Sequence, residues 1–537
     1  MSPVKSSANN AHEGEIELKL SASPEVLARL KRPAQWTSLL QSVQGRAVSE
    51  KLRSVYYDTK SLDLRAKGIA LRLRHHDTHS IQTVKTAGKH DEIAPSREEY
   101  EARLDNGESA PDPQLVSNKH LRRQLRHVAA KARLSPVFET AVQRTTRALR
   151  TRDGDEIELA IDIGEIRGEN GHAPIAEMEL ELKSGARTAL YKLARQLVRT
   201  YPLRLRLQSK AARGYALIAG ETISAVKAGP LTLDGDKSTE IAFETILRHC
   251  LQHFLANEPA VIETQSPQGV HQMRVALRRL RSAFKLFDDF CQGDEAKRLE
   301  HEAKVLSRRL GELRDLDVFL SDTIKHARQT IVDHDAALTA LAKAAEQARH
   351  QAWDKIIATL NTPRFMTFAL DLALFIETRQ WREALSGDAS LIEKPLKLHV
   401  RVMLTQTFKK ISKLGRELKS LDEDSRHVLR KRLKKLRYAT DFFSSLFDEK
   451  AARSYSRKLA KLQDEFGLLN DIATAGTLMP FIMRKARASL RGDLHESDLE
   501  KALQAVEQFN EDRRNKILTA MLRQWRSFSS AQPYWEH

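Results

Sequence analysis

Polar and aliphatic residues alternate strictly in the first half of the chain. The segment EIELKL (15–20) is the first example, with Glu15, Glu17 and Lys19 on one side and aliphatic residues on the other. A period of two is typical of a β-strand whose two faces differ. Seven further segments with this pattern lie at 51–59, 69–75, 80–88, 96–104, 136–149, 156–166 and 175–185. Separated by turn residues, they predict a single antiparallel sheet of eight strands that closes or nearly closes on itself.

From about residue 239 onward, apolar residues recur every three or four positions, which predicts helices almost throughout. This half also repeats itself without a gap at a shift of 156 residues. The shift carries His271 to His427, Arg274 to Arg430, and the segment GELRD (311–315) to GLLND (467–471). The repeat predicts two related helical units that form one pseudo-symmetric bundle.

The predicted fold class is therefore α+β: an N-terminal eight-stranded antiparallel β tunnel followed by an all-α pseudo-symmetric helical bundle. The tunnel is predicted for residues 13–216, with helices at 113–133 and 186–201, and we expect it to be complete without the helical half. A stretch that contains Gly and Pro, 217–238, is the predicted linker, and the bundle covers 239–525.

The charged faces of the predicted strands indicate a charged interior of the tunnel, in place of a sheet whose polar face lies in water. Most strands carry carboxylates or cations on one face and aliphatic side chains on the other. If the aliphatic face lies outward under helices, the charges line the inside of the tunnel, where unpaired ions are costly. A multivalent anion together with divalent cations would balance such an interior. Carboxylates at i and i+2 can share Mg²⁺ or Mn²⁺, while Arg and Lys hold phosphate oxygens.

The overall charge also points to a polyanionic partner. The 537 residues contain 89 Lys and Arg against 71 Asp and Glu, a formal net charge of +18. The N-terminal residues show no secretory signal, and no uninterrupted apolar run approaches the roughly 20 residues that span a bilayer. Two cysteines provide no disulfide framework. We therefore expect a cytoplasmic protein that does not associate with membranes.

The first half resembles the CYTH domain, which has the triphosphate tunnel metalloenzyme fold, over residues 13–216. The motif ExExK at Glu15, Glu17 and Lys19 is followed by YYDT, LRLR, TVKTAG and an RxExE pattern that starts at Arg97. An arginine in FETAVQRTTR, the acidic strand IAEMELELK and the closing segment SKAARGY also match. The resemblance implies metal-dependent hydrolysis of inorganic triphosphate to pyrophosphate and phosphate.

The resemblance also implies roles for individual residues. The implied metal ligands, with Mg²⁺ or Mn²⁺ as the cofactor, are Glu15, Glu17, Glu177 and Glu179, and these four with Lys19 form the implied catalytic set. The implied substrate-binding residues are Lys19, Arg72, Arg74, Lys85, Arg97, Arg144, Lys210 and Arg213. The sequence leaves open the roles of five other acidic residues, Glu99, Glu101, Glu158, Asp162 and Glu181.

Basic residues form a stripe along one helix of each copy in the second half. The stripes consist of His271, Arg274, Arg278 and Arg281 in the first copy and of His427, Arg430, Lys434 and Arg437 in the second. A basic stripe on a single helix is usually a solvated face. Like charges at i,i+3 and i,i+4 repel one another and slightly destabilise the helix. The same unpaired cations in both copies favour a binding face.

The second half resembles the CHAD domain over residues 239–525, through HxxRxxxRRLR (271–281), GELRDLD (311–317), HVLRKRLKKLRY (427–438) and FGLLND (466–471). The resemblance implies binding of inorganic polyphosphate, and with it an expected association with polyphosphate granules. For Asp315, Asp317 and Asp471 we expect structural roles. Nucleic acid is not the expected partner, because aromatic residues, which stack on bases, make up only 6% of the chain.

Two alternatives remain open at this point. The same tunnel fold hosts thiamine triphosphatases and adenylyl cyclases, and a fold does not choose among substrates. The chain could also be a non-catalytic polyphosphate-binding scaffold with a vestigial tunnel. Retention of the full charged set argues against the scaffold.

Overall fold

The computed structural model of the chain divides into two compact units. It describes residues 12–31, 40–75, 79–88, 93–104, 110–385, 392, 394–489 and 494–536. The first unit, the tunnel unit, comprises Met1–Ile223 together with Asn361–Thr378. The second, the helical unit, comprises Ser224–Leu360 and Arg379–His537.

Eight strands of the tunnel unit form a closed antiparallel barrel, as the alternation predicts. Around the barrel they follow the order β5-β4-β3-β2-β6-β7-β8-β1, and pairing of β1 with β5 closes the ring. A two-residue strand, β9 (Arg204–Leu205), also pairs with β1. The eight strands are β1 (His12–Ser21), β2 (Leu40–Asp58), β3 (Ile69–His75), β4 (Ser80–Thr86), β5 (Ser96–Leu104), β6 (Ser135–Thr151), β7 (Glu156–Gly168) and β8 (Gly171–Ser184).

The outward face of the barrel is aliphatic and is covered by helices. Leu71, Leu73 and Val84 are buried in one cluster with Leu121 and Leu125 of a covering helix. Because side chains alternate along a strand, this burial turns the charged residues between them inward. The helices of the unit are α1 (Pro24–Leu30), α2 (Asp63–Ala66), α3 (Lys119–Lys131), α4 (Arg187–Thr200) and α5 (Lys210–Ile218).

Helix α5 packs against the inward face of β6, β7 and β8, where that face becomes apolar. The ring of Tyr215 lies edge-on to Phe138, with 5.2 Å between the ring centroids. Ser209 caps the N-terminus of α5 through a hydrogen bond to the backbone N–H of Ala212. This docking carries Lys210 and Arg213, from the first turns of the helix, towards the charged interior.

The eight strands that close the tunnel come from the first half of the chain, as predicted, but the unit around them includes one helix from the second half. A helix from far along the chain, Pro363–Glu377, packs against α4 and belongs to the tunnel unit. We call it α12, its number in chain order. Ten of its fifteen side chains are buried, so its apolar pattern gave no sign of which unit it joins.

The predicted linker is fixed to the helical unit over much of its length. The side-chain amide of Asn257 bonds both the backbone N–H and the carbonyl oxygen of Val226, at 2.8 and 2.9 Å. Further along, Leu231 and Leu233 are buried, and the backbone N–H of Leu233 donates to Ser445 Oγ. Residues 224–238 are therefore extended but anchored.

The helical unit repeats its elements at the same shift of 156 residues as its sequence. Shifted in this way, α8 becomes 423–442, and the 3₁₀ turn Asp288–Phe290 coincides with the 3₁₀ turn Ser444–Leu446. The copies differ at a π-helical segment, Phe319–Ile324, whose counterpart contains Pro480. The helices are α6 (Thr239–Ala256), α7 (Glu258–Ile262), α8 (Pro267–Leu286), α9 (Asp294–Val318), α10 (Lys325–Thr330), α11 (Asp335–Leu360), α13 (Leu396–Gly415), α14 (Glu423–Phe443), α15 (Glu449–Arg487) and α16 (Glu496–Ser529).

One helix of the described chain, α15, is long and apolar enough to cross a membrane by length and composition, with a mean hydropathy of 1.3 over 18 residues. The core helix of a soluble protein passes the same test. The expectation that the protein does not associate with membranes stays a prediction.

Replacing Gly214 with alanine tests the docking of α5. A Cβ at this position would lie 2.1 Å from the ring of Phe138, whereas one at Gly476 would meet nothing within 4 Å. Alanine favours a helix at both sites, yet we expect Gly214→Ala to lower the free energy of unfolding by about 1–3 kcal/mol through overpacking. The control Gly476→Ala should raise it by about 0.5–1 kcal/mol. Denaturant unfolding of both variants checks the opposite signs, and stabilisation by Gly214→Ala would contradict the docking.

Candidate functional site

The strand register of the barrel brings opposite charges into rows. Arg144 on β6 lies opposite Asp162 on β7, which lies opposite Glu177 on β8. On the other side of β8, Lys19 lies opposite Glu179. Directly opposite residues of one face interact across a sheet, so the register itself builds a charged cluster inside the barrel.

Three carboxylates, Asp162, Glu177 and Glu179, meet in this cluster, with one oxygen of each within 4.8 Å of the others. The side-chain nitrogen of Lys210 lies among them, at 2.7, 2.6 and 2.9 Å from Asp162, Glu177 and Glu179 respectively. Arg144 bonds two of the three carboxylates, each at 2.6 Å. In the described part of the chain this is the group of acidic side chains that is arranged to hold a metal ion.

The charges of this cluster stabilise one another in their ionised forms. Burial alone would raise the pKa of Glu179, but Lys210, Arg144 and Lys19 hold it well below its usual range. Lys210 and Arg144 likewise lower the pKa of Asp162 against the effect of burial. In return, the three carboxylates raise the pKa of Lys210 although burial opposes this. Both signs of charge therefore persist at neutral pH in this partly to fully buried cluster.

A second charged group lies where β1 meets β4 and β5. Lys85 Nζ is 2.6 Å from Glu15 Oε2 and 2.8 Å from Glu99 Oε2, and Arg72 lies 3.6 Å from Glu99. Burial and a hydrogen bond with Glu99 raise the pKa of Glu15. Burial also favours the neutral form of Glu99, but the hydrogen bond with Glu15 and the charges of Lys85 and Arg72 lower its pKa. The two carboxyl groups thus share a site.

Lys19 and Glu17 lie between the two groups. Lys19 forms an ion pair with Glu17 and is 4.0 Å from Glu179 in the first cluster. Arg97 is 3.8 Å from Glu17. The ExExK motif therefore spans the interior: its first glutamate joins one group, and its lysine reaches the other.

Several buried cations of the interior have donor capacity to spare. Among the described residues, the Nε atoms of Arg72, Arg74, Arg97 and Arg213 are buried without a hydrogen-bond partner. The charge of Arg72, burial and the charge of Arg144 lower the pKa of Arg74 to about 10, although the carboxylate of Glu101 acts in the opposite direction. An anion rich in oxygen atoms would satisfy these donors.

The interior also fits a divalent cation. Asp162, Glu177 and Glu179 offer hard oxygen ligands, which Mg²⁺ and Mn²⁺ prefer. They already surround one positive charge, the Lys210 ammonium, so their arrangement suits a cation. When bound, such a metal would polarise a phosphoryl oxygen or lower the pKa of a water molecule.

The structure gathers the predicted tunnel residues into one interior but divides the predicted metal ligands. Glu177 and Glu179 lie in the first cluster, whereas Glu15 and Glu17 lie towards the second. The sequence left Asp162 and Glu99 without a role, and each joins one of the two charged groups. Their alternation with aliphatic residues marked both as inward, but only the register shows their neighbours. Glu101 accepts a hydrogen bond from Thr83, while Glu158 and Glu181 lie near Lys183.

In the helical unit, the two predicted basic stripes lie together. The charges of Arg278 and Arg274 on α8 act on Lys434 of α14, and Arg278 acts on Arg430. A Cβ on Gly311 would lie 2.7 Å from Arg274 Nη1, so the glycine leaves room for that guanidinium. We call this surface the basic patch; it comprises His271, Arg274, Arg278, Arg314, Arg430 and Lys434.

Among the described residues, the cations of the basic patch outnumber the carboxylates that act on them, Asp315 and Asp471. Burial and the charges of Arg430, Arg278 and Arg274 lower the pKa of Lys434 to about 7. Burial, with Arg314, Arg278 and Arg274, lowers the pKa of His271 to about 4. Within the described chain, Arg274 Nη1, Arg278 Nε and Arg430 Nε are buried without hydrogen-bond partners. These cations repel one another in a poorly solvated place, as expected of a site for a polyanion.

Two of the three aspartates for which structural roles are expected lie beside arginines, and one arginine of the second stripe forms an ion pair within its own helix. Asp315 lies 3.7 Å from Arg274, and Asp317 lies 2.7 Å from Arg349. Arg437 pairs with Asp441 on its own helix at 3.2 Å.

His427 lies beside the patch, and burial with the charges of Lys431 and Arg430 lowers its pKa. Among the described residues, Arg281 Nε is also buried without a hydrogen-bond partner, and its role in polyphosphate binding stays a prediction. The sequence did not single out Arg314, although it lies in the segment GELRDLD.

Comparison with known proteins agrees with this division of the chain. The CYTH domain family model matches residues 13–215, and the CHAD domain family model matches residues 245–480. An inorganic triphosphatase from Haemophilus influenzae is 32% identical over 203 residues, which are 38% of this chain and 54% of the relative. The chain thus spans about half the length of that curated relative.

Two solved structures illustrate the similarity of each half. The CHAD domain from the plant Ricinus communis is 30% identical, covers 58% of this chain and 98% of its own, and has a TM-score of 0.47. A Hippeastrum protein, described as an adenylyl cyclase with a dominant triphosphatase activity, is 17% identical, covers 39% of this chain and 97% of its own, and has a TM-score of 0.27.

The closed barrel with inward charges corresponds to the first matched region, and the repeated helices with the basic patch correspond to the second. The chain is therefore a member of the CYTH and CHAD families, with a CYTH domain followed by a CHAD domain.

Proposed function

We propose that the tunnel hydrolyses inorganic triphosphate to pyrophosphate and phosphate with Mg²⁺ or Mn²⁺, and that the helical unit binds inorganic polyphosphate. The observation that supports hydrolysis best is the interior of the barrel, where a carboxylate trio lies next to arginine donors without partners. The inorganic triphosphatase that matches the first half supports the same reaction.

The interior residues would have two roles in hydrolysis, namely metal binding and phosphate binding. Asp162, Glu177 and Glu179 would hold a divalent cation, which neutralises charge on the phosphoryl group and activates water. Lys19 and Arg144 would bind and orient phosphate oxygens, as would Arg72, Arg74, Lys85 and Arg97. Positioning and charge neutralisation carry most of the catalysis of phosphoryl transfer, so a site without a covalent nucleophile is sufficient.

Thiamine triphosphate and ATP are the competing substrates. Both add an organic group to the triphosphate, and recognition of that group would need apolar or stacking contacts in the interior. The charged residues that the structure brings together provide contacts for phosphate and metal, and the attached basic patch also suits phosphate alone. These features favour the inorganic substrate.

Phosphate release from triphosphate, ATP and thiamine triphosphate, each with Mg²⁺ and with Mn²⁺, tests the reaction. We expect Glu179→Gln to reduce kcat/KM for triphosphate by at least about 100-fold, the order found on removing one charge-stabilising group. The control Glu165→Gln changes a partly exposed glutamate of β7 that pairs with Arg167 and should keep the parent rate. Parent-like turnover by Glu179→Gln would contradict the metal assignment, and faster turnover of ATP would favour a nucleotide substrate.

Replacing Arg274, Arg278, Arg430 and Lys434 with alanine tests polyphosphate binding by the basic patch. Binding of a polyanion releases condensed counterions, so log K should fall with log salt by roughly 0.7 for each phosphate contact, as for single-stranded nucleic acids. We expect the quadruple variant to bind more weakly and to have a salt slope that is smaller by about 3.

The control removes the same charge from arginines that already pair with carboxylates, namely Arg298, Arg328, Arg487 and Arg514. Titrations with long-chain polyphosphate at several salt concentrations should show little change in this control. Equal loss in both variants would mean that only net charge matters. Tighter binding of duplex DNA than of polyphosphate would favour a nucleic acid partner.

The pKa of Lys434 predicts that polyphosphate binding takes up a proton. The free protein holds this pKa at about 7 through burial and the charges of Arg430, Arg278 and Arg274. A bound polyanion favours the charged ammonium and raises the pKa, so affinity should fall as pH rises from about 7, by up to about tenfold per unit.

In the variant Lys434→Arg the side chain is always charged, so its affinity for polyphosphate should depend less on pH. Calorimetric titration in two buffers of different ionisation enthalpy measures the proton uptake. The same uptake in Lys434→Arg as in the parent would show that another group titrates.

A further inference from the structure

The chain leaves the helical unit after Leu360, contributes Asn361–Thr378 to the tunnel unit, and returns to the helical unit at Arg379. The contributed segment is almost entirely helix α12. The tunnel unit therefore includes an element separated from the rest of it by more than a hundred residues of chain. Placing this segment on the tunnel unit closes a long loop of chain, which costs entropy. The contacts of the segment must offset that cost.

Two ion pairs, one at the middle of α12 and one at its C-terminal end, join α12 to α4. Asp371, which is 7% exposed, accepts a hydrogen bond of 3.1 Å from Arg195 of α4. Near the C-terminus of α12, Glu377 lies 3.7 Å from Arg187. Between these ion pairs the two helices pack through buried side chains. The orientation of α12 on the tunnel unit is therefore defined by charge as well as by shape.

The N-terminal end of the segment contacts β9 directly. The backbone N–H of Leu205 points at the sulfur of Met366, at 3.5 Å. Next to it, the guanidinium of Arg204 donates to the side-chain oxygen of Asn361. Met366 is 2% exposed, so its thioether packs in a place closed to water.

Through β9, these contacts reach the strand that carries the ExExK motif. Leu205 pairs with Leu20 of β1, and the backbone N–H of Arg206 donates to the carbonyl oxygen of Lys19 at 2.9 Å. On this edge of β1, β5 pairs with the beginning of the strand, at His12–Ile16, and β9 takes over near its end. A two-residue strand is too short to hold itself in place.

We propose that α12 is a positioning element of the catalytic tunnel, with Met366 as the residue through which it holds β9 and, through β9, the backbone of Lys19. The chain that follows β9 leads into α5, which carries Lys210 and Arg213, so one anchor serves cations on two elements. This inference rests on the proposed triphosphatase activity. A mutation far from the reacting atoms can displace a substrate-binding group by about 1 Å, and such a displacement can lower the rate by up to about 100-fold.

The variant Met366→Ala in the full-length protein tests this role. We expect kcat for triphosphate to fall by roughly 10- to 100-fold at a temperature well below unfolding. The backbone amides of Leu205 and Arg206 should exchange hydrogen for deuterium faster, because the edge of the barrel opens locally. Met366→Leu keeps the volume but not the sulfur acceptor, so it should restore most of the activity and the protection of the Arg206 amide, which donates to Lys19.

A control variant with a similar cavity in the helical unit distinguishes an effect on positioning from an effect on stability. Met521 of α16 is 1% exposed, so Met521→Ala removes the same side chain from an equally buried place. It should lower the thermal midpoint without changing kcat for triphosphate or exchange at Leu205. Equal kcat in Met366→Ala and the parent, or equal losses in both alanine variants, would overturn the inference. A parent without triphosphatase activity would refute the proposed function instead, and amide exchange would still decide whether α12 holds β9.

Discussion

The tunnel unit depends on one constraint, which is that no charge inside the barrel can remain without an opposite charge nearby. Ions removed from water are expensive unless they are paired and hydrogen-bonded. The register supplies the pairs: Arg144, Asp162 and Glu177 lie in one row, and Lys19 faces Glu179. A slip of one residue would turn the charged face outward and the aliphatic face inward. The charges therefore specify the register as strongly as the apolar covering does.

The same constraint limits what can enter the tunnel. Because the interior cations and carboxylates already compensate one another, an incoming anion without metal would leave an excess of buried negative charge. Triphosphate together with divalent cations adds little net charge, and each partner finds ligands: carboxylates for the metal and the unpartnered guanidinium Nε atoms for the phosphates. The mixture of signs thus favours a substrate that arrives with its metal.

Sequence patterns were sufficient for the parts of the molecule that repeat with a fixed period. The alternation located the eight strands and their inward faces, and the 156-residue shift located the paired basic helices. The patterns could not assign Asp162 to the carboxylate trio, because periodicity gives the face of a residue but not its neighbour on the next strand. They also could not place α12, which is apolar on nearly all sides and so carries no sign of its partner. The fold followed from the sequence, whereas the detailed site needed the register.

The tunnel interior and the basic patch differ in their charge balance, because the first mixes carboxylates with cations and the second consists mainly of cations. In the tunnel, carboxylates raise the pKa of Lys210, so its positive charge is stabilised before any ligand arrives. In the basic patch, burial and neighbouring arginines lower the pKa of Lys434, so its positive charge is destabilised until an anion arrives. The first arrangement holds ions that neutralise each other and suits chemistry on a metal-bound phosphate. The second suits the polyphosphate that we propose for it, because each bound phosphate would relieve repulsion between the cations of the patch.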